Sequence, residues 1–291
     1  TRDFLFYLSV DPILRKNYHD QLTLSTLYAY SEHYILTLGN RDVGSLNEFM
    51  AKLPGDEKQK LAQVREAYSY MMVHPGCKMM APGAAIPEEL GKCIQALNTL
   101  YKSSPALYQM DDEYDGFEWV QLMKYEENVI TFLRKTEKPE ETLLVICNFA
   151  AIPYENYQVG VPFAGKYKEI FNSDAAEFGG EGVVNSRVKT AKAEECDERE
   201  YSIKVKLPAL GVSIYSCTPG KAPARKKVTA AKTAKDKTAG KLVRTVKAKT
   251  PAKKSVKEEK ATKVEEAVKA EKKAEKVKKR ATVKNDNNKA D

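Results

Sequence analysis

Three histidines are the residues whose type best suits proton transfer, and their neighbours decide whether such chemistry is expected. His19 and Asp20 are adjacent in sequence and could suggest a catalytic dyad. Adjacent residues on a helix, however, point in different directions and do not face each other. His33 lies near a predicted helix end, and His74, before Pro75-Gly76, is expected to be a cation at a helix C terminus. None of the three has a nucleophile nearby in sequence, so we expect structural roles for all of them.

A metal site would need acidic or sulfur ligands at close spacing, and a disulfide framework would need paired cysteines. The acidic cluster DDEYD (111–115) is expected to be a solvated linker, and calcium binding is a weaker alternative because the spacing lacks the known loop pattern. The five cysteines are scattered and odd in number, and Cys93, Cys147 and Cys217 fall in apolar runs typical of buried thiols. We therefore predict no metal, no cofactor and no disulfide framework, and a reducing, cytoplasmic compartment.

The charges divide the chain into two unlike parts. Residues 219–291 carry 25 Lys and Arg against 9 Asp and Glu, a net charge of +16, which leaves −8 on residues 1–218. All 26 aromatic residues lie in 1–218. The lysine-rich tail 219–291 is predicted to be disordered, because it has too few apolar residues to form a core. No apolar run approaches the ~18–20 residues that span a bilayer, and no signal-peptide pattern opens the sequence, so no membrane association is expected.

Residues 1–110 show helical and strand-like segments in alternation. A helix is predicted over 22–34 and a strand over 35–40; the next helix has Pro54 in its first turn and one apolar face. A short buried strand is expected at 77–81, and Pro87 opens a last helix. This order is typical of a parallel sheet with connecting helices.

Residues 111–218 change to short runs rich in β-branched and aromatic residues, separated by charged or Gly/Pro/Asn turns. Seven strands at this spacing predict an antiparallel β-sandwich. The seven predicted strands are GFEWVQLM, VITFLRK, TLLVICNF, YQVGV, KYKEIFNS, YSIKVKL and GVSIYSC.

Several longer segments resemble bacterial glycogen branching enzymes (1,4-α-glucan branching enzymes) of the α-amylase superfamily. The resemblance rests on YLSVDPILRKNYHDQLTLSTLYAYSEHYILTL, KLPGDEKQKLAQVREAYSYMMVHPGCK, LNTLYKSSPALYQMD with GFEWV, and LLVICNFAAIPYENYQVGVPFAGKYKEIFNSDAAEFGG. It covers most of 1–218 and none of the tail.

The resemblance implies an α+β, multi-part fold. Residues 1–110 would be a helix-rich remnant of the end of a (β/α)₈ catalytic barrel, 111–218 an all-β C-terminal domain of the antiparallel sandwich type, and 219–291 a disordered basic tail. The family forms α-1,6 branches in glycogen by retaining transglycosylation, which needs a nucleophile Asp and an acid/base Glu about 5–5.5 Å apart. Neither of the two family motifs that carry this pair occurs in 1–291.

The third family carboxylate would lie in a His-Asp-Glu motif after the strand at 35–39. Asn40, Arg41 and Asp42 occupy those positions, so His is replaced by Asn and Asp by Arg. Asp42 stands where the family has Glu, one residue after the position of the family's Asp. Near a strand end, a one-residue offset tends to point the side chain in the opposite direction, although a loop could restore its orientation. Arg41 would also place a cation where an oxocarbenium ion develops. The family's Gly-Gln-Glu after the last barrel strand is replaced by Gly83-Ala84-Ala85, and a family segment of about two dozen residues is missing there.

Four aromatic residues are candidates for glucan contact within this resemblance. Trp119 could stack on a glucose ring, but a lone Trp on a sandwich strand is more often a core residue. Tyr125, Tyr154 and Tyr157 are weaker surface candidates.

The sequence thus leaves three functions open. The chain is a fragment or degenerate relative of a branching enzyme that is inactive alone; or a non-catalytic glucan-binding scaffold, a pseudoenzyme; or a protein whose tail, 219–291, binds polyanions non-specifically. α-Glucan (glycogen) is the expected ligand of the first two. An incomplete barrel would also expose strand edges, so a complementing chain is a further expected partner.

Overall fold

The structure is a computed structural model that describes residues 2–23, 35–38, 45–80 and 86–221, all within the compact unit Thr1–Val228. Most of the predicted helix over 22–34, and all of the tail beyond residue 221, lie outside the described residues. No helix in the described ranges is both long and apolar enough to cross a membrane.

The described residues of the N-terminal half form five α-helices and two strands. The helices are α1 Arg2–Ser9, α2 Asp20–Thr23, α3 Leu46–Lys52, α4 Glu57–Val73 and α5 Glu88–Ser103, and the strands are β1 Ile35–Leu38 and β2 Cys77–Met80. β1 and β2 pair in parallel with Ile35 opposite Cys77. This pairing confirms the parallel arrangement predicted from strand and helix order. Pro87 precedes α5 directly, as predicted.

β2 differs from its prediction in burial. Cys77 is exposed and Met79 is 49% exposed, whereas a buried strand was expected. Burial of a strand depends on the layers packed on its faces, so an apolar run does not by itself guarantee burial.

α4 begins later and is buried more completely than its sequence suggests. Asp56 caps it in a capping box with Gln59, so Pro54 lies before the helix and not in its first turn. Both its apolar face and its polar residues Gln63, Arg65 and Glu66 are buried. A single apolar face was predicted, but α4 contacts α3, α5, β1 and the C-terminal β-domain, so more than one of its faces is covered.

The C-terminal half is an antiparallel β-domain of eight strands. They are β3 Phe117–Gln121, β4 Val129–Arg134, β5 Leu143–Asn148, β6 Tyr154–Val161, β7 Gly165–Asn172, β8 Lys189–Thr190, β9 Tyr201–Leu207 and β10 Gly211–Pro219. A six-stranded sheet has the order β3-β4-β5-β10-β7-β8, and β6 and β9 form a two-stranded sheet. The seven predicted strands are all present, and β8 was missed because it has only two residues.

The two sheets pack face to face, as the predicted sandwich requires. Leu133 and Ile146 of the large sheet share one apolar cluster with Val159 and Val205 of the small sheet. The other face of the large sheet packs on the helices. Every residue of β4 and β5 is consequently buried, because a layer covers each face.

Candidate functional site

The degenerate family motif Asn40, Arg41 and Asp42 follows the carboxyl end of β1, which ends at Leu38. The carboxyl ends of β1 and β2 lie at the same edge because the strands are parallel and in register. The motif itself, and Gly83-Ala84-Ala85 after β2, lie outside the described residues. Their expected chemistry stays a prediction.

The three tyrosine candidates meet around the 3₁₀ turn Tyr125–Glu127, which precedes β4. The hydroxyl of Tyr157 donates to the Glu127 carboxylate at 2.9 Å, and the Tyr154 hydroxyl donates to the Glu127 main-chain oxygen at 3.4 Å. The rings of Tyr154 and Tyr157 have centroids 5.4 Å apart. Lys124 Nζ lies 4.7 Å from the centre of the Tyr157 ring, in cation–π geometry.

These tyrosines differ in their access to a ligand. Tyr157 is 7% exposed, and burial together with Glu127 raises the pKa of its hydroxyl, which stays protonated. Tyr125 is 39% exposed and leaves much of its ring open to solvent. Of the three, Tyr125 has the exposed ring and Tyr157 a buried, hydrogen-bonded hydroxyl; sugar contact by any of them stays a prediction.

Trp119 lies away from the tyrosine cluster. It points toward the helix side of the large sheet, where its ring meets Phe117 edge-on at 4.9 Å and Phe132 at 5.7 Å. Val120, the next residue on β3, packs on the opposite side with the small sheet. This packing agrees with the core interpretation of Trp119, and its glucan contact stays a prediction.

His19 supports the turn that carries Tyr125. Its ring stands perpendicular to that of Tyr125 at 5.4 Å and is 2% exposed. Burial lowers the pKa of His19, and the neighbouring Asp20 only partly opposes this. A buried imidazole packed on a tyrosine fits a structural role better than proton transfer.

Asp111 was expected in a solvated linker, and it instead joins the two halves of the chain. Its carboxylate accepts hydrogen bonds from Arg134 at 2.6 Å, from the Gly76 main-chain nitrogen at 2.8 Å and from Lys78 at 3.4 Å. Burial lowers the pKa of Lys78 to about 8 although Asp111 opposes this shift. No pattern in the sequence marks Asp111, because its partners come from β2 and β4.

His74 also differs from its prediction. It caps the C terminus of α4 but is 1% exposed, and burial, with Arg134 and Lys78 nearby, lowers its pKa to about 3. It is therefore neutral at pH 7 and not the expected cation. Its Nδ1 lies 2.8 Å from the main-chain oxygen of Pro75, as a donor to that oxygen.

A second buried arginine ties the N-terminal segment to the β-domain. Arg15 is fully buried and donates to the main-chain oxygens of Leu8 at 2.8 Å, Val10 at 3.1 Å and Phe149 at 3.1 Å. It also hydrogen-bonds the side chain of Gln63 on α4. Sequence reasoning missed Arg15, since its partners are up to 134 positions away.

The sulfur and acidic side chains do not form a metal centre in the described part of the chain, where no three His, Cys, Asp or Glu are placed to hold an ion. Cys93, Cys147 and Cys217 are buried as predicted, and burial raises the pKa of the Cys93 thiol to about 12. Such thiols are poor nucleophiles at neutral pH.

Comparison with known proteins gives this architecture a family. Residues 119–218 match the model of the alpha amylase C-terminal all-beta domain, which covers β3 to β10 almost completely. The 1,4-alpha-glucan branching enzyme GlgB of Oceanobacillus iheyensis is 36% identical over 235 residues, covering 73% of this chain. That of Aquifex aeolicus is 38% identical and covers 72%.

The chain spans only 37% of the length of these two curated relatives. Among solved structures, an Anoxybacillus alpha-amylase superposes with a TM-score of 0.43 at 11% identity, covering 76% of this chain and 46% of that one. The assignment rests on the sequence matches. The chain corresponds to the C-terminal part of the bacterial glycogen branching enzymes of the α-amylase superfamily.

Proposed function

We propose that this chain supplies the C-terminal part of a branching-enzyme architecture that acts on α-1,4-glucan, and that it carries no bond-making chemistry by itself. Residues 1–110 would be the end of the catalytic barrel and 111–218 the β-domain behind it. The observation that carries the proposal is the match to branching enzymes at 36–38% identity over about three quarters of the chain.

The buried polar contacts support a positioning role for the β-domain. Arg134 on β4 donates to the main-chain oxygen of Val73 at the end of α4, at 2.9 Å. Arg15 reaches Phe149 after β5. Charged side chains are rarely buried without a partner, so each arginine fixes one orientation of the helices on the sheet. In a complete barrel, this would hold the last βα units in place at the active-site edge.

The sequence supports the absence of catalysis in this chain alone. Asn40, Arg41 and Asp42 replace the family's third-carboxylate motif, and the two motifs for the nucleophile and acid/base are not found in 1–291. A retaining mechanism fails without that carboxylate pair.

The purified chain should therefore make no α-1,6 linkages in amylose. Chain-length analysis after debranching measures this, with the Aquifex aeolicus enzyme as the positive control. A triple variant, Asn40→His, Arg41→Asp and Asp42→Glu, rebuilds the third motif and is expected to stay inactive because the other two carboxylates are still missing. Branch formation by the unmodified chain would contradict the proposal.

Glucan binding without catalysis is the second candidate function. It is favoured by the exposed ring of Tyr125, which lies in the same turn as Glu127, the hydrogen-bond partner of Tyr154 and Tyr157, since an aromatic face near polar groups suits a glucose ring. Co-sedimentation with glycogen tests it, and retention no higher than that of an unrelated protein of similar charge would count against it.

A further inference from the structure

A small cavity lies between the N-terminal half of α4 and the loop that follows β7. It measures about 120 Å³ and is bordered by Lys58, Gln59, Arg65, Asp174, Glu181 and Leu210, with alanines and glycines completing the wall. Neither the family motif nor the tyrosine cluster borders it. The cavity therefore needs an explanation of its own.

Arg65 is the group that the cavity exposes to a ligand. The residue is only 5% exposed, and its Nε donates to the main-chain oxygen of Ser173 at 2.9 Å. Nη1 lies against Gly179, 3.9 Å from the position a Cβ would take there. A guanidinium has five N–H donors, and the bond from Nε is the only hydrogen bond that the Arg65 side chain makes with a described residue, while Nη1 and Nη2 are open to solvent. Four donors thus remain for an occupant of the cavity.

The neighbouring carboxylates form no ion pair with Arg65, and burial lowers the pKa of its guanidinium more than the charges of Asp174 and Glu181 raise it. Both oxygens of Asp174 accept main-chain hydrogen bonds, from Glu181 at 2.9 Å and from Val183 at 3.0 Å. The carboxylate of Glu181 forms an exposed ion pair with Lys58. No carboxylate of a described residue lies within 4.0 Å of the Arg65 guanidinium. A buried cation with a single hydrogen bond is unfavourable, and pairing it with an anion would relieve that cost.

We propose that this cavity is a binding site for one small oxyanion, a phosphate or a carboxylate group, held by Nη1 and Nη2 of Arg65. The planar guanidinium matches two oxygens of such a group at once. A volume of about 120 Å³ leaves room for a single tetrahedral or planar oxyanion. The negative charges of Asp174 and Glu181 weaken anion binding at this site, so only an anion that makes the bidentate contact with Arg65 is expected to bind.

The occupant would connect the two halves of the chain. Arg65 belongs to α4, whereas Ser173, Asp174 and Gly179 belong to the loop after β7. An anion bound to the folded state alone raises the melting temperature by mass action. At ten times its dissociation constant, the expected rise is about 3–6 °C for a folded unit of this size.

The test is thermal unfolding of the full chain in inorganic phosphate, in acetate and in chloride at matched ionic strength, followed by calorimetric titration of the effective anion. A saturable rise in phosphate alone identifies a phosphate site, and a rise in acetate as well identifies a general oxyanion site. Arg65→Met should abolish the rise. Arg187→Met, at an exposed arginine of the same domain, should keep it.

A second variant protects the test against loss of folding. Ala62→Leu fills the cavity from α4 without changing Arg65 and should also abolish the saturable rise. The proposal is overturned if the unmodified chain shows no saturable rise with either anion. It is equally overturned if Arg65→Met or Ala62→Leu folds and retains the full rise.

Discussion

The guanidinium of Arg134 donates a hydrogen bond of 2.9 Å to the main-chain oxygen of Val73, the last residue of α4. The same side chain donates to Asp111 at 2.6 Å and is fully buried. One arginine thereby satisfies an unpaired carbonyl at a helix C terminus and a carboxylate in the connection between the two halves. Together with the apolar core that the helices share with the large sheet, this contact links the two halves into one compact unit.

Arg134→Met should destabilise the folded unit by about 2–4 kcal/mol. The substitution removes the buried cation and leaves both Asp111 and the Val73 carbonyl without that donor. Urea unfolding followed by tyrosine and tryptophan fluorescence measures the change.

Arg187→Met is the matched control, because Arg187 is exposed on the same domain. It should change the free energy of unfolding by less than about 0.5 kcal/mol. Equal effects of the two substitutions would show that the Arg134 contact does not join the halves.

His74 should make the fold sensitive to acid. Its pKa is lowered to about 3 in the folded protein, while the unfolded chain takes up a proton near pH 6.5. The contribution of His74 is therefore complete above pH 6.5 and is lost as the pH falls toward 3, by up to about 1.4 kcal/mol per pH unit. His74→Asn, which keeps an N–H near Nδ1, should unfold with a smaller slope over that window. Parallel slopes for the two proteins would exclude His74 as the cause.

Glu66 should make the fold less stable as the pH rises, the opposite of the effect of His74. Burial raises its pKa well above the ordinary value, although Arg15 Nη1 lies 3.9 Å from its carboxylate and opposes the shift. The folded state then retains a proton that the unfolded chain releases above about pH 4.3, so stability falls as the pH rises from there. Glu66→Gln cannot titrate and should gain stability relative to the unmodified chain between pH 5 and 7. Urea unfolding at pH 5 and at pH 7 measures how much more stable the variant is than the unmodified chain. If this stability gain is the same at both pH values, the raised pKa of Glu66 is refuted.

The sequence predicts the β-domain well because local signals and packing agree there. Each long strand is a run of β-branched or aromatic residues between turns, and the two-layer arrangement follows from those runs. The burial of both faces of β4 and β5 was not predictable in the same way, because it depends on which element packs behind the sheet. The sequence of β4 alone does not contain that information.

The candidate site was predictable in part. The three tyrosines were chosen by type, and the turn Tyr125–Glu127 brings them together. Trp119 was placed in the same group, but strand alternation directs it to the opposite face of the sheet. Asp111 and Arg65 could not be recognised, since their partners lie far along the chain, 108 positions away for the Arg65 contact to Ser173. From the sequence alone, a charged residue in a helix is predicted to be exposed, and its burial becomes evident only when the element packed against it is known.

Glucan contact by the tyrosine cluster can be separated from its structural role with two substitutions. Tyr125→Ala removes an exposed ring and should lower co-sedimentation with glycogen several-fold while changing stability little. Tyr157→Phe removes the buried hydroxyl bonded to Glu127 and should cost about 1–2 kcal/mol without altering retention. Both are measured on the full chain, by glycogen pelleting and by urea unfolding. If Tyr125→Ala pellets as well as the unmodified chain, this cluster is a packing feature of the β-domain and glucan must be sought elsewhere on the surface.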